Sequence, residues 1–335
     1  MINIYKEKGY SSFHAVYVIR KLTGEKKVGH TGTLDPDVTG VLPICIGKAT
    51  KLVGQLTDTD KTYKCRMIFG RYTDTQDMSG QVLEEISEEE VRSRLCALAQ
   101  GRAAGQLQAD DEIHGRAVNS QSEAAKRVIS DTILSFQGEI MQLPPMYSAL
   151  KVDGVKLVNA ARKGVEIARE KRAVNVYRIY DISVSDDLIY VDFTIHCSKG
   201  TYVRTLCEDI GRKLNIPACM YSLERICASG LDISTAITLD QAGEYAAAGT
   251  LEEHMIPADT FLEIYDRAVV KDESVRKLAY GNYMYREDMA DAKFMDTAAD
   301  GQILRLYDGA GEFYALYRYS SRDDCLKCVK MFRDI

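Results

Sequence analysis

Asp35 and Asp37 stand one residue apart in the run Gly32-Thr-Leu-Asp-Pro-Asp-Val-Thr-Gly40, among glycines and threonines. A carboxylate presented on a turn can serve as a nucleophile or stabilise a developing cation. Three chemistries compete for this stretch. The string Asp35-x-Asp37-x-Thr39 is that of aspartate-nucleophile phosphatases, in which a buried strand aims both carboxylates at magnesium. The residues before it, Gly29-His-Thr-Gly-Thr33, supply no such strand. Gly40 and Gly47-Lys48-Ala49 approach a phosphate-binding P-loop. Six residues separate these glycines where the motif has four, and Ala49 replaces the hydroxyl that would hold a metal. The third reading takes the whole run from Lys27 to Lys51, and it depends on segments further along the chain.

Ser11 and Ser12 are placed to cap a helix whose apolar positions Phe13, Val16, Ile19 and Leu22 recur at helical spacing. Residues 41–46 read as a short buried strand. Residues 62–69 alternate, with Tyr63, Cys65, Met67 and Phe69 on one face and Thr62, Lys64 and Arg66 on the other. Residues 188–197 alternate in the same way. From Gly200 the period changes to that of a helix carrying Val203, Leu206, Ile210 and Leu214. Strands and helices interleave without strict βαβ order, which predicts an α+β fold with a mixed, largely antiparallel sheet. Residues 101–126 are polar and aperiodic and read as a long loop or insertion. Beyond about residue 250, alternating runs at 302–306 and 313–319 predict a small β-rich C-terminal domain.

The 335 residues are 46% hydrophobic and 27% charged, an ordinary composition for a soluble globular protein. No stretch approaches the length of an apolar membrane span, and residues 1–20 contain no secretory apolar core. Nine scattered cysteines predict reduced thiols and a cytoplasmic location. Cys325-x-x-Cys328 has no second pair at zinc spacing, so no metal is expected. The net charge of −6 speaks against a polyanionic partner until it is divided along the chain. Residues 1–54 carry eight basic and four acidic side chains, and residues 151–178 eight and three, while residues 251–335 carry twelve against seventeen.

The run Lys27-VGHTGTLDPDVTGVLPICIGKATK resembles the catalytic motif of the TruB-type tRNA pseudouridine synthases. Four further segments resemble that family in order: Asp60-Lys-Thr-Tyr-Lys64, Gly70-RYTDTQDMSG, Pro145-MYSALKVDGVKLVNAARKGVEI and His196-CSKGTYVRT. The resemblance implies a pseudouridine synthase fold over residues 1–250, interrupted by the insertion 101–126 and by a thumb-like RNA-gripping segment at 139–172. Residues 251–335 take the place of a PUA-like domain. It implies isomerisation of the T-loop uridine at position 55 of tRNA. Asp35 would be the reactive carboxylate, buried beside an aromatic pocket. Tyr63 would stack on the base and remove its C5 proton, and Arg204 would pair with Asp35. His30 would fill the gap left by the flipped base, and Tyr202 and Leu223 would contact it. Lys6, Lys151, Arg162 and Lys163 would bind substrate. No cofactor, metal or protein partner is implied, and the chain is expected to act as a monomer on the tRNA T-arm. Two alternatives are a non-catalytic T-arm-binding chaperone and the phosphatase. The sequence departs from the family where Lys6-Glu7 stands for a Lys-Pro pair, in the insertion 101–126, and in the acidic C-terminal region.

Overall fold

The strand at 61–69 shows how alternation builds the sheet. In the computed structural model, which describes residues 1–106, 117–148, 150–152 and 154–333, Cys65, Met67 and Phe69 are buried while Lys64 and Arg66 are exposed. Among the described residues, nine strands form the central sheet: β1 (Ile2–Lys6), β2 (Val28–His30), β3 (Thr39–Ile46), β4 (Lys61–Phe69), β7 (Gly138–Gln142), β10 (Arg172–Val184), β11 (Tyr190–Cys197), β12 (Ala218–Ala228) and β13 (Leu231–Asp232). Their order is β1-β3-β12-β4-β11-β10-β7, with β2 beside β3 and β13 beside β12. The pairing of β3 with β12 is parallel and the others are antiparallel. Two short hairpins stand apart, β5 (Arg71–Thr73) with β6 (Val82–Glu85), and β8 (Lys151–Val152) with β9 (Val155–Lys156). The sheet is the mixed, mostly antiparallel one the sequence predicts.

Helices cover the sheet face that carries Ile4, Leu42, Cys65 and Met67, in one continuous core. Helix α1 (Ser12–Thr23) starts where the Ser11 hydroxyl accepts from the His14 amide, and ends at Gly24, whose positive φ of 66° suits a residue without Cβ. With α7 (Leu239–Ala248) it covers β1 and β3, burying Ala15, Val16, Ile19 and Ala242. Helices α3 (Glu88–Gln106), α4 (Ala117–Leu134) and α6 (Val203–Leu214) bury Val91, Leu95, Ile129, Ile133, Leu206 and Ile210 in the core that holds Cys65, Met67 and Phe69. Helices α2 (Val53–Thr57) and α5 (Leu157–Ala161) are single turns next to the cleft described below.

The segment 101–126 is not one long loop. Residues 101–106 continue α3 and residues 117–126 open α4, and 107–116 lie outside the described residues. The large apolar residues that pin these two helices, Val91 with Leu95 and Val128 with Ile129 and Ile133, fall outside the segment, which contributes only the small Ala125 to the core. The segment itself therefore shows no period.

The C-terminal strands β14 (Asp266–Val269), β15 (Ile303–Tyr307), β16 (Phe313–Ser320) and β17 (Cys325–Met331) form a second sheet in that order. Together with α8 (Val275–Ala279) they enclose a separate core of Leu278, Met284, Leu304, Leu306, Tyr317 and Leu326. A third apolar cluster, including Met1, Leu52, Leu56, Leu262 and Leu316, joins the two sheets. The lysine of the P-loop-like string belongs to this junction: Lys48 Nζ donates to the Arg333 carbonyl at 2.8 Å. Cys325 and Cys328 lie three apart on β17, so alternation turns them to opposite faces. Among the described residues no helix is long and apolar enough to cross a membrane.

Candidate active site

The turn that carries Asp35 is held from below by buried donors. Ser12 Oγ accepts from the Leu34 amide at 2.8 Å and donates to the Leu34 carbonyl at 3.0 Å, closing both polar groups of that peptide pair. The Pro36 carbonyl accepts from the Gly9 amide at 2.9 Å and from Lys6 Nζ at 3.1 Å. The Val38 amide returns to the Asp35 carbonyl at 3.1 Å, with Pro36 fixing φ at the corner. Asp35 is thus set by contacts to backbone, and its carboxylate is left free to point outward. Its side chain keeps 46% of its exposure, which corrects the expectation that it is buried.

Arg204 meets that carboxylate, with Nη2 3.0 Å from Asp35 Oδ2. It sits in the first turn of α6 and is itself buried. Nη1 donates to the Thr75 carbonyl at 3.1 Å and lies 3.4 Å from Asp77 Oδ2, and Nη2 also donates to the Tyr147 carbonyl at 2.8 Å. A buried guanidinium needs this many acceptors, because an unmatched N–H removed from water costs more than the bond returns. The loop 74–80 is shaped to supply them. Gln76 adopts a positive φ of 64°, accepts from Thr205 Oγ1 at 2.9 Å and donates to the buried Glu208 at 2.5 Å. The segment that resembles the family at 70–80 is therefore the support of Arg204.

Behind Asp35 lies a cavity of about 570 Å³, lined also by Leu34, Tyr63, Tyr202, Arg204, Leu223 and Arg225. That volume is in the range of small-molecule pockets and admits one nucleotide. Tyr63 on β4 is registered with Arg225 on β12, which turns the two side chains to the same face. Arg225 is almost completely buried. Its Nε donates to the Val41 carbonyl at 2.7 Å and its Nη2 to the Gly32 carbonyl at 3.0 Å, and its positive charge acts on the Tyr63 phenol. Burial pushes the Tyr63 phenol above its ordinary value, and the Arg225 cation opposes that shift. Gly40 makes the arrangement possible: at φ 106°, a Cβ there would lie 2.2 Å from the Arg225 carbonyl oxygen. Leu223, two residues before Arg225, faces the same cavity. The Tyr202 peptide is clamped by Gln142, whose Oε1 accepts from the Tyr202 amide at 3.0 Å and whose Nε2 donates to its carbonyl at 3.2 Å.

The remaining expected residues fall in three places. His30 ends β2, half-buried and outside the cavity lining, with Nδ1 accepting from the Gly32 amide at 3.2 Å. Burial and then Arg225 lower its pKa, so its imidazole is neutral at pH 7. Lys6 is no substrate ligand. It is fully buried, and its ammonium donates to the carbonyls of Glu7, Tyr10 and Pro36 at 3.0, 2.7 and 3.1 Å, which leaves no N–H for a phosphate. Lys151, Arg162 and Lys163 are exposed on the segment between β7 and β10, free of ion pairs among the described residues. The second carboxylate of the phosphatase string, Asp37, lies 4.0 Å from Lys8, while Asp35 faces Arg204. The two do not form one metal-directed pair. Arg225, Asp77 and Gln142 escaped the sequence reading, and Ser12, read as a helix cap, also braces the Asp35 turn. Arg225 did leave a signal, since it shares the strand phase of Leu223.

The fold is shared with a solved Cbf5-Nop10-Gar1 complex, at a TM-score of 0.60 and 23% identity, covering 99% of this chain and 84% of that one. A solved H/ACA RNP bound to a substrate RNA gives a TM-score of 0.59 at 21% identity, covering 99% and 84%. The model of the TruB family pseudouridylate synthase N-terminal domain matches residues 20–104 and 100–203, which makes the class that of the pseudouridine synthases, isomerases that turn uridine into its C-linked isomer. tRNA pseudouridine synthase B of Clostridium acetobutylicum is 37% identical over 331 residues, covering 99% of this chain and 98% of that protein. Its counterpart in Staphylococcus saprophyticus is 35% identical over 316 residues, covering 92% and 93%. The chain belongs to the TruB family.

Proposed function

We propose that this enzyme acts on tRNA, isomerising the T-loop uridine at position 55, and does so as a monomer in the cytoplasm without metal, cofactor or protein partner. The reaction breaks the N1–C1′ bond, turns the uracil, forms a C5–C1′ bond and moves the C5 proton to N1. Atoms and electrons balance within the nucleoside, so no redox group or water is consumed. Asp35 attacks the nucleoside or stabilises the sugar cation once the base is detached, and Arg204 holds its carboxylate toward the cavity. Tyr63 stacks on the uracil and removes the C5 proton, with the Arg225 cation lowering the cost of a phenolate. Leu223 and Tyr202 bound the flipped base. His30 stacks in the gap, a role suited to a neutral imidazole. Lys151, Arg162 and Lys163 meet phosphates from the segment 139–172. The chain divides into two domains, 1–250 and 251–335, the second PUA-like; a separate C-terminal core supports the division, with Leu251 packed in the first core.

One observation carries this reading: an outward-facing Asp35 stands 3.0 Å from a buried arginine, at a cavity that also presents Tyr63. The test is an unmodified T-arm stem-loop incubated with the protein in chelator, followed by pseudouridine mapping. One new pseudouridine in the T-loop is expected. Tight binding without product would favour the chaperone, and product in unrelated loops would remove the T-loop assignment.

A further inference from the structure

We propose that the exposed face of α1 is an RNA-stacking surface, holding unpaired nucleotides of the substrate beside the cleft; this rests on the RNA-modifying role proposed above. Phe13 is 70% exposed, and Tyr17 and Tyr10 are 44% and 41% exposed. Buried Ser12, Ala15, Val16 and Ile19 occupy the inner arc of α1, so the turn of the helix collects Phe13, His14, Tyr17, Arg20 and Lys21 on the outer one. A helix that had only to cover the sheet would carry polar groups there.

Tyr10, His14 and Tyr17 are held in place before any partner arrives. His14 stacks on Tyr10 with centroids 4.8 Å apart and planes 8° from parallel, and Lys21 Nζ stands 4.8 Å over the Tyr17 ring. Ordering them beforehand reduces the entropy lost on binding. The helix contains no acidic residue, and among the described residues Arg20 and Lys21 enter no ion pair. Flat faces interleaved with unneutralised cations fit a polyanion that presents unstacked bases. The face is also continuous with the site. Lys6 Nζ joins the Tyr10 carbonyl to the Pro36 carbonyl, and Ser12 closes on Leu34, so the first turn of α1 and the Asp35 turn form one piece. Flipping one nucleotide unstacks its neighbours, and these rings stand on the element bonded directly to the Asp35 turn.

The test compares wild type with Phe13→Ser/Tyr17→Ser and with Arg20→Gln/Lys21→Gln on the unmodified T-arm stem-loop and on whole tRNA transcript. All four side chains are exposed, so melting temperatures are expected to hold. The aromatic pair is expected to raise KM and Kd about tenfold on one or both RNAs, leaving the saturating single-turnover rate intact, with Phe13→Trp/Tyr17→Trp restoring wild-type affinity. The charge pair is expected to flatten the salt dependence of binding. Unchanged KM and Kd in both variants, with wild type active, would overturn the proposal. So would a wild-type dimer in sedimentation that the aromatic pair dissolves, since the face would then belong to a second copy. A wild type that makes no pseudouridine in either RNA would strike the proposed function, while the Kd comparison would still decide the role of α1.

Discussion

On one wall of the cleft, Asp35 is fixed by Ser12, Lys6, Gly9 and Arg204, and Arg225 anchors the start of its loop and faces Tyr63. On the other wall, between β7 and β10, the chain makes two-residue strands and a single helical turn, buries Pro144, Pro145, Ser148, Leu157 and Ala160, and exposes Lys151, Lys156, Arg162 and Lys163. Buried, fully matched hydrogen bonds make the first wall stiff. The second has few apolar contacts and mostly exposed backbone, the marks of a segment that opens at low cost. The contrast assigns two tasks. Under the proposed function, the stiff wall positions the Asp35 carboxylate and so sets kcat. Under the same proposal, the loose wall meets the RNA backbone and so sets KM.

That division can be broken by substitutions on either side. Arg204→Lys keeps a charge but cannot reach Asp35, Asp77 and two carbonyls at once, so kcat should fall about a hundredfold or more with little change in RNA affinity. A comparable loss in affinity, measured by filter binding, would put Arg204 on the gripping side. Arg225→Lys should leave the Val41 and Gly32 carbonyls incompletely matched, lowering stability by about 1–3 kcal/mol. Because Arg225 anchors the Asp35 loop and faces Tyr63, kcat should drop about tenfold, and a melting curve beside single-turnover kinetics reads both effects. Neutralising Lys151, Arg162 and Lys163 together should raise KM and reduce the slope of log K against log salt by about 2, at roughly 0.7–0.9 per phosphate contact. An unaltered slope would show that these side chains meet no phosphate.

The smallest effect concerns Lys6. Burial pulls its pKa to about 8 from 10.5. Between those values the unfolded chain holds a proton that the folded chain has lost, so the contribution of Lys6 to stability rises with pH through that window. The neutral amine has two N–H groups for three carbonyls, which loosens the Asp35 turn. A few-fold fall in kcat above about pH 8 is expected, in a protein that does not melt earlier on account of this residue. A flat pH–rate profile through pH 9 would detach Lys6 from the rate.

The two walls also differ in how well a sequence announces them. Asp35, Tyr63 and Arg204 were legible because they lie in strings that resemble a family. The strands carrying Tyr63 and Ile195 were legible because alternation survives wherever one face is buried. Arg225 was not, since a charged residue in a strand is ordinarily read as facing water. What turns it inward is the approach of β3 at Gly40, 185 positions earlier in the chain. Lys6 was misread for the same reason: its three carbonyl partners come from a turn and a loop that no local pattern predicts. The helical ends within 101–126 were not legible as helix because the large apolar residues of α3 and α4 lie elsewhere.

The central claim is that the stiff wall exists to present one carboxylate. Asp35→Asn keeps the shape of that side chain and the backbone contacts beneath it. On the same T-arm stem-loop, single-turnover kinetics and equilibrium binding should show an RNA affinity close to wild type and a pseudouridine rate lower by about 10⁴-fold or more. A rate within tenfold of wild type would contradict the account.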